Sequence, residues 1–110
     1  MMVTAEDIDQ VDPKAVTLSE GTLGYNIRAE GNHVGAIEGY PGRIEYLTVE
    51  LAWEEKGIAR AALNTFIDLS RKQGLSEVTT NNATHPAMEH ILKTEGFEEQ
   101  SDGRKWVKEI

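Results

Sequence analysis

The order of elements around residues 44–81 constrains this chain more than any other feature. Ile44-Glu45-Tyr46-Leu47-Thr48-Val49-Glu50 carries β-branched and aromatic residues on both parities, the pattern of a central strand covered on two faces. Glu54-Glu55-Lys56-Gly57-Ile58-Ala59-Arg60 follows, and Ile58, Ala61, Ala62, Thr65, Phe66 and Leu69 then recur at helical spacing, with Asp68, Arg71 and Lys72 left for water. Gly74 is a natural helix stop, and Glu77 to Asn81 reads as a strand. Strand, helix and strand in this order predict a right-handed parallel crossover. A strand that feeds a glycine turn and then a helix also aims free backbone N–H groups at one spot, an arrangement suited to an anion such as pyrophosphate.

The flanking segments predict an otherwise antiparallel sheet. Tyr25, Ile27 and Ala29 alternate with Asn26, Arg28 and Glu30, Gly31-Asn32 is turn chemistry, and His33 to Tyr40 returns as a second strand. Pro41-Gly42 breaks the chain before Ile44. After residue 81, Pro86 suits the first turn of a short helix with Met88, Ile91 and Leu92 on its apolar stripe; Gly96 ends it and Phe97 folds back on the core. A hairpin around Ser101-Asp102-Gly103 returns through Trp106 and Val107. Residues 1–23 form an acidic lead-in, with a short strand near Ala15 to Leu18, and residues 24–110 form the recognisable domain.

At 110 residues the chain is one domain, so a large cleft must be shallow or completed by a second copy. Eleven Lys and Arg against 19 Asp and Glu give a net charge of -8, which repels nucleic acid and anionic lipid. The absence of cysteine removes thiol catalysis, Cys-based zinc sites and disulfides. No apolar run is long enough to span a bilayer, and Met1 to Gln10 carries three acids and no basic residue, so the expected compartment is the cytoplasm.

A strand, a Gln/Arg-x-x-Gly-x-Gly/Ala turn, a helix, a strand and a helix ending in Gly-Phe together resemble the GNAT superfamily of acetyl-CoA-dependent N-acetyltransferases. Glu54, Gly57 and Ala59 occupy the turn and Gly96-Phe97 the ending. The resemblance implies a twisted, mostly antiparallel α/β sheet with a central parallel β-α-β unit and flanking helices. It implies acetyl-CoA as cosubstrate, with pantetheine pairing to the backbone of Leu47, Thr48 and Val49 like an added strand. The amides of Glu55, Lys56, Gly57, Ile58, Ala59 and Arg60 would hold the pyrophosphate, and Asn82, just upstream of His85, is a further candidate cofactor contact. An amine, on a small molecule or a protein, would attack the thioester directly, with an N–H near Val49 stabilising the oxyanion.

Glu45 shares the parity of Leu47 and Val49 and is the candidate general base; an ordinary surface carboxylate is the alternative. Tyr46, on the other parity, reads as core. His85 stands where the family commonly has Asn and could orient pantetheine or thiolate, or simply cap the helix. His85 and His90 lie five apart, so no metal site is expected. Trp53 reads as a core anchor for the turn, with a wall beside the cofactor as the alternative. Three departures stand out: Glu54 where Gln or Arg is usual, Leu92 where a thiolate-protonating Tyr often stands, and a front without the two helices that wall the acceptor site. That open side leaves room for a homodimer. A non-catalytic module that keeps the CoA groove or binds a partner is the alternative to the enzyme.

Overall fold

Short alternating segments and tight turns build the first half of the protein as an antiparallel meander. In the computed structural model, which describes residues 8–81, 86–100 and 105–110, this meander comprises β1 (Val16–Glu20), β2 (Gly24–Ala29), β3 (Asn32–Tyr40) and β4 (Arg43–Val49). Helix α1 (Ile58–Lys72) carries the chain to β5 (Glu77–Asn81), which runs parallel to β4. Helix α2 (Pro86–Thr94), β6 (Glu98–Glu99) and β7 (Lys105–Glu109) follow, and β7 inserts beside β5, giving the order β1-β2-β3-β4-β5-β7-β6. The expected mostly antiparallel sheet with one parallel pair is therefore present among the described residues.

Helix α1 forms because its apolar residues fall on one face, and that face covers β1, β4 and β5. It buries Ile58, Ala61, Ala62, Leu63, Phe66 and Ile67. Phe66 is fully enclosed, meets Tyr25 edge-on at 6.0 Å, and stabilises the fold by roughly 2–3 kcal/mol through its buried area alone. The stripe includes Leu63 and Ile67, whereas Thr65 and Leu69, expected within it, sit at its margin. Ser70 is completely buried yet satisfied, since its hydroxyl accepts the Gly42 N–H at 2.9 Å. That bond fastens the end of α1 to the β3–β4 turn. No helix among the described residues is long and apolar enough to cross a membrane.

The expected two-faced burial of β4 is corrected by a β-bulge. Glu38 opposes Tyr46 but Gly39 opposes Ile44, so Glu45 is an extra residue with no partner of its own in β3. The bulge resets the alternation: Ile44 joins Leu47 on the core face, while Tyr46 is 65% exposed rather than core. Gly39 makes this possible, because at φ 142° a Cβ there would lie 2.1 Å from the Arg43 carbonyl oxygen. The face away from the core is open to water over β1 to β4, carrying Thr17, Ser19, Arg28, Tyr46 and Thr48.

Val11 and Val16 belong to the same core as the rest of the chain, and the strand expected near Ala15 to Leu18 is β1, paired along its length with β2. Trp106 is buried on β7. The tip of the last hairpin, Ser101-Asp102-Gly103, lies outside the described residues.

Candidate functional site

Among the described residues, β4 and β5 pair at Arg43 with Thr79 and at Ile44 with Thr80, and β4 continues to Val49. Beyond Ile44 no other described strand pairs with β4 on that side. The Glu50 N–H donates to the Val34 carbonyl on β3 at 2.8 Å, which fixes the alternation along β4. Thr48 and Tyr46 therefore turn their backbone groups to β3, and Leu47 and Val49 turn theirs toward the gap. Of the three residues expected to meet pantetheine through the backbone, Leu47 and Val49 turn theirs away from β3, whereas Thr48 turns its backbone to β3 and its side chain to the open face.

A polar cluster closes the vertex of this splay. The Glu45 carboxylate accepts from Arg43 Nε at 3.2 Å and from Asn81 Nδ2 at 3.0 Å. The same Asn81 amide donates to the Glu45 backbone carbonyl at 3.2 Å, bridging the two strands just past their last pair. Arg43 completes the ring by donating to the Thr79 hydroxyl at 3.2 Å and to Asn81 Oδ1. Hydrogen bonds from Asn81, then from Arg43, hold the Glu45 carboxyl below the usual carboxylate range. Glu45 is consequently an anion fixed in place, with its side chain still 43% exposed. Sequence reasoning found Glu45 but not Arg43 or Thr79, whose roles depend on a parallel pairing 36 residues apart.

At the far end of β4 the chain makes a single turn of 3-10 helix, Leu51–Trp53, and Trp53 is buried as the expected anchor. Glu55 (φ 62°) and Gly57 (φ 82°) then adopt left-handed conformations, and Ile58 opens α1. The Ala61 N–H donates to the Gly57 carbonyl, which leaves the amides of Ile58, Ala59 and Arg60 without an intrahelical acceptor. Among the described residues no side chain caps this end. Glu54 faces water.

Neither cation of the turn stands idle. Lys56 Nζ donates to the Ile8 carbonyl at 2.7 Å, while Arg60 bonds the Thr94 hydroxyl at 2.8 Å and pairs with Glu95 at the end of α2. Burial pushes the Glu95 carboxyl up, but hydrogen bonds from Asn64 and Arg60 and the charges of Arg60 and Lys108 outweigh it and hold the group low. The attraction available to an anion here comes from backbone N–H groups and the helix dipole more than from free side-chain charge. Asn82 and His85 lie outside the described residues. Leu92 is buried in the core.

No protein-family model matches the sequence, and a search of curated proteins finds no match. Solved structures do match the fold. Ard1 from Thermoplasma volcanium is similar with a TM-score of 0.66 at 18% identity, over 89% of this chain and 72% of that one. The ribosomal-protein-S18-alanine N-acetyltransferase from Escherichia coli gives 0.63 at 16% identity, over 88% and 70%. The PaiA N-acetyltransferase from Thermoplasma acidophilum, solved in complex with coenzyme A, gives 0.63 at 15% identity, over 78% of this chain. The matched region spans 59% of that protein and 60% of a GCN5-related N-acetyltransferase from Rhodopseudomonas palustris. The open edge of β4 and the uncapped turn thus sit in the fold that these N-acetyltransferases share.

Proposed function

We propose that the protein binds acetyl-CoA across the β4–β5 splay and transfers its acetyl group to an amine by direct attack. The observation that carries this reading is the backbone of Leu47 and Val49, directed away from β3 on an edge where no described strand pairs beyond Ile44, on the strand that precedes the turn at Gly57. Pantetheine adds along Leu47 and Val49, with Thr48 alongside. The amides of Glu55, Lys56, Gly57, Ile58, Ala59 and Arg60 hold the pyrophosphate, and the missing Cβ at Gly57 lets it approach.

In the reaction the amine nitrogen forms a bond to the thioester carbon, the Val49 N–H stabilises the oxyanion, and the C–S bond breaks to release thiolate. Glu45 takes the ammonium proton through water; the bonds from Asn81 and Arg43 that keep it ionised also make it a weaker base than a free carboxylate. Asn82 and His85 keep the roles that the resemblance gives them, flanking the cofactor and orienting the thiolate. The unroofed face around Tyr46 admits an amine borne by a protein as readily as a small one, and it leaves a surface on which a second copy can pack.

Isothermal titration with acetyl-CoA tests the reading. Micromolar binding, weakened about 100-fold in Gly57→Trp, is the expected result, together with thiol release when an amine is supplied. Wild-type protein that does not bind acetyl-CoA would sink the proposal. Binding without thiol release across a broad amine panel would leave a CoA-binding module in place of an enzyme.

A further inference from the structure

The pyrophosphate turn is held from outside by the start of the chain. Three hydrogen bonds join residues 8–11 to it: Lys56 Nζ donates to the Ile8 carbonyl at 2.7 Å, Gln10 Nε2 to the Glu55 carbonyl at 3.2 Å, and the Val11 N–H to the Lys56 carbonyl at 3.0 Å. The Gln10 Oε1 atom also lies where it would stand 3.2 Å from a Cβ on Gly57. Val11 anchors this segment in the core, at 5% exposure, and Ile8 packs against the same cluster. These partners are 45 to 48 residues apart, so local sequence does not impose the contact.

The geometry of a planar trans peptide makes the contact consequential. Carbonyl and following N–H point in opposite directions, so capturing the Glu55 and Lys56 carbonyls on the strap side turns the N–H groups of Lys56 and Gly57 to the other side. Glu55 needs such support, because its φ of 62° is sparsely populated by residues other than glycine. Gln10 and Val11 also form a wall of a groove of about 790 Å³ that includes Gly57 and Arg60.

We propose that residues 8–11 are a positioning strap that pre-forms the pyrophosphate turn, with Gln10 as its adjustable link; this inference rests on the acetyl-CoA reading above. The strap touches no reacting atom. It sets how much of the binding energy of the pyrophosphate is realised, because an already shaped turn loses less conformational freedom when the anion arrives.

The test compares wild type, Gln10→Ala, Gln10→Met and a variant lacking residues 1–9, using two acetyl donors: acetyl-CoA and the acetyl thioester of N-acetylcysteamine, which has no pyrophosphate. Gln10→Ala and Gln10→Met are expected to weaken acetyl-CoA binding about fivefold, the loss of one neutral hydrogen bond, and the truncation more, while turnover of the short thioester changes less than about twofold. Thermal unfolding confirms that the variants are folded. Unchanged acetyl-CoA affinity in all three variants, with the wild type binding normally, overturns the strap and leaves the acetyl-CoA reading standing. Equal losses with both donors also overturn it, since they mark a general structural defect. A wild type that binds no acetyl-CoA overturns both.

Discussion

The two edges of β4 have opposite fates. Among the described residues, it is registered toward β3 at six positions from Arg43 to Val49, but toward β5 at Arg43 and Ile44 alone. The first edge follows from local chemistry, since a two-residue Pro41–Gly42 turn brings β3 and β4 together with little loop to close. The second requires α1 to carry the chain across the sheet and set β5 down at a particular place. The edge made by local pairing is scaffold, and the edge left unfinished by the long crossover is the candidate site.

Breaking the finished edge carries the largest expected cost. A Cβ at Gly35 would lie 2.1 Å from the Thr48 carbonyl oxygen, so Gly35→Ala must force β3 from β4. A loss of about 3 kcal/mol or more is expected in urea unfolding. A variant as stable as wild type would show that the two strands separate easily and that the contrast between the edges is weaker than drawn.

The unfinished edge is probed by Asn81→Ala, which removes the amide that bridges Glu45 and Arg43 at the vertex. A loss of about 1–2 kcal/mol is expected at neutral pH. It should depend on pH in a defined direction. Asn81 is the first cause of the lowered Glu45 value, and a carboxylate lowered on folding contributes stability above its ordinary 4.5 that disappears as the pH falls through its folded value. The gap in Tm between wild type and variant should therefore be wider at pH 7 than at pH 3. A gap that is constant with pH would mean that Asn81 acts on the backbone carbonyl of Glu45 alone.

The smallest effect is expected on the open face. Tyr46→Ser, at a side chain that is 65% exposed, should move stability by no more than about 0.5 kcal/mol, whereas Ile44→Ala, two residues earlier and 1% exposed, should cost about 3 kcal/mol. Both positions have the same strand parity, so only the bulge at Glu45 separates them. Equal costs, read by chemical denaturation, would place Tyr46 under a covering that monomeric protein does not supply.

Much of this molecule was legible residue by residue. Glu77 to Asn81 was readable as a strand, Pro86 as the first turn of a helix, Gly57 as the turn before α1 and Trp53 as its anchor, because each depends on local propensity or on a residue whose backbone freedom is unusual. Tyr46 was misread because alternation predicts a face only while pairing is regular, and a bulge is decided jointly with the partner strand. Arg43, Thr79 and Gln10 gave no signal at all. Apart from the Arg43–Glu45 pair within one strand, their partners stand 36 to 45 residues away, at separations where nothing in the spacing links one residue to another.

By itself, then, the sequence determined the order of elements, the turn chemistry and the position of the uncapped helix start, since hydrogen bonding and sterics within a few residues suffice for each. Tertiary structure alone decided where β4 and β5 part, which way Glu45 and Tyr46 face, and what holds the Glu55–Gly57 turn in shape. These are outcomes of non-local packing, where the position of one strand or strap is fixed by contacts that exist only once the whole sheet has closed on its core.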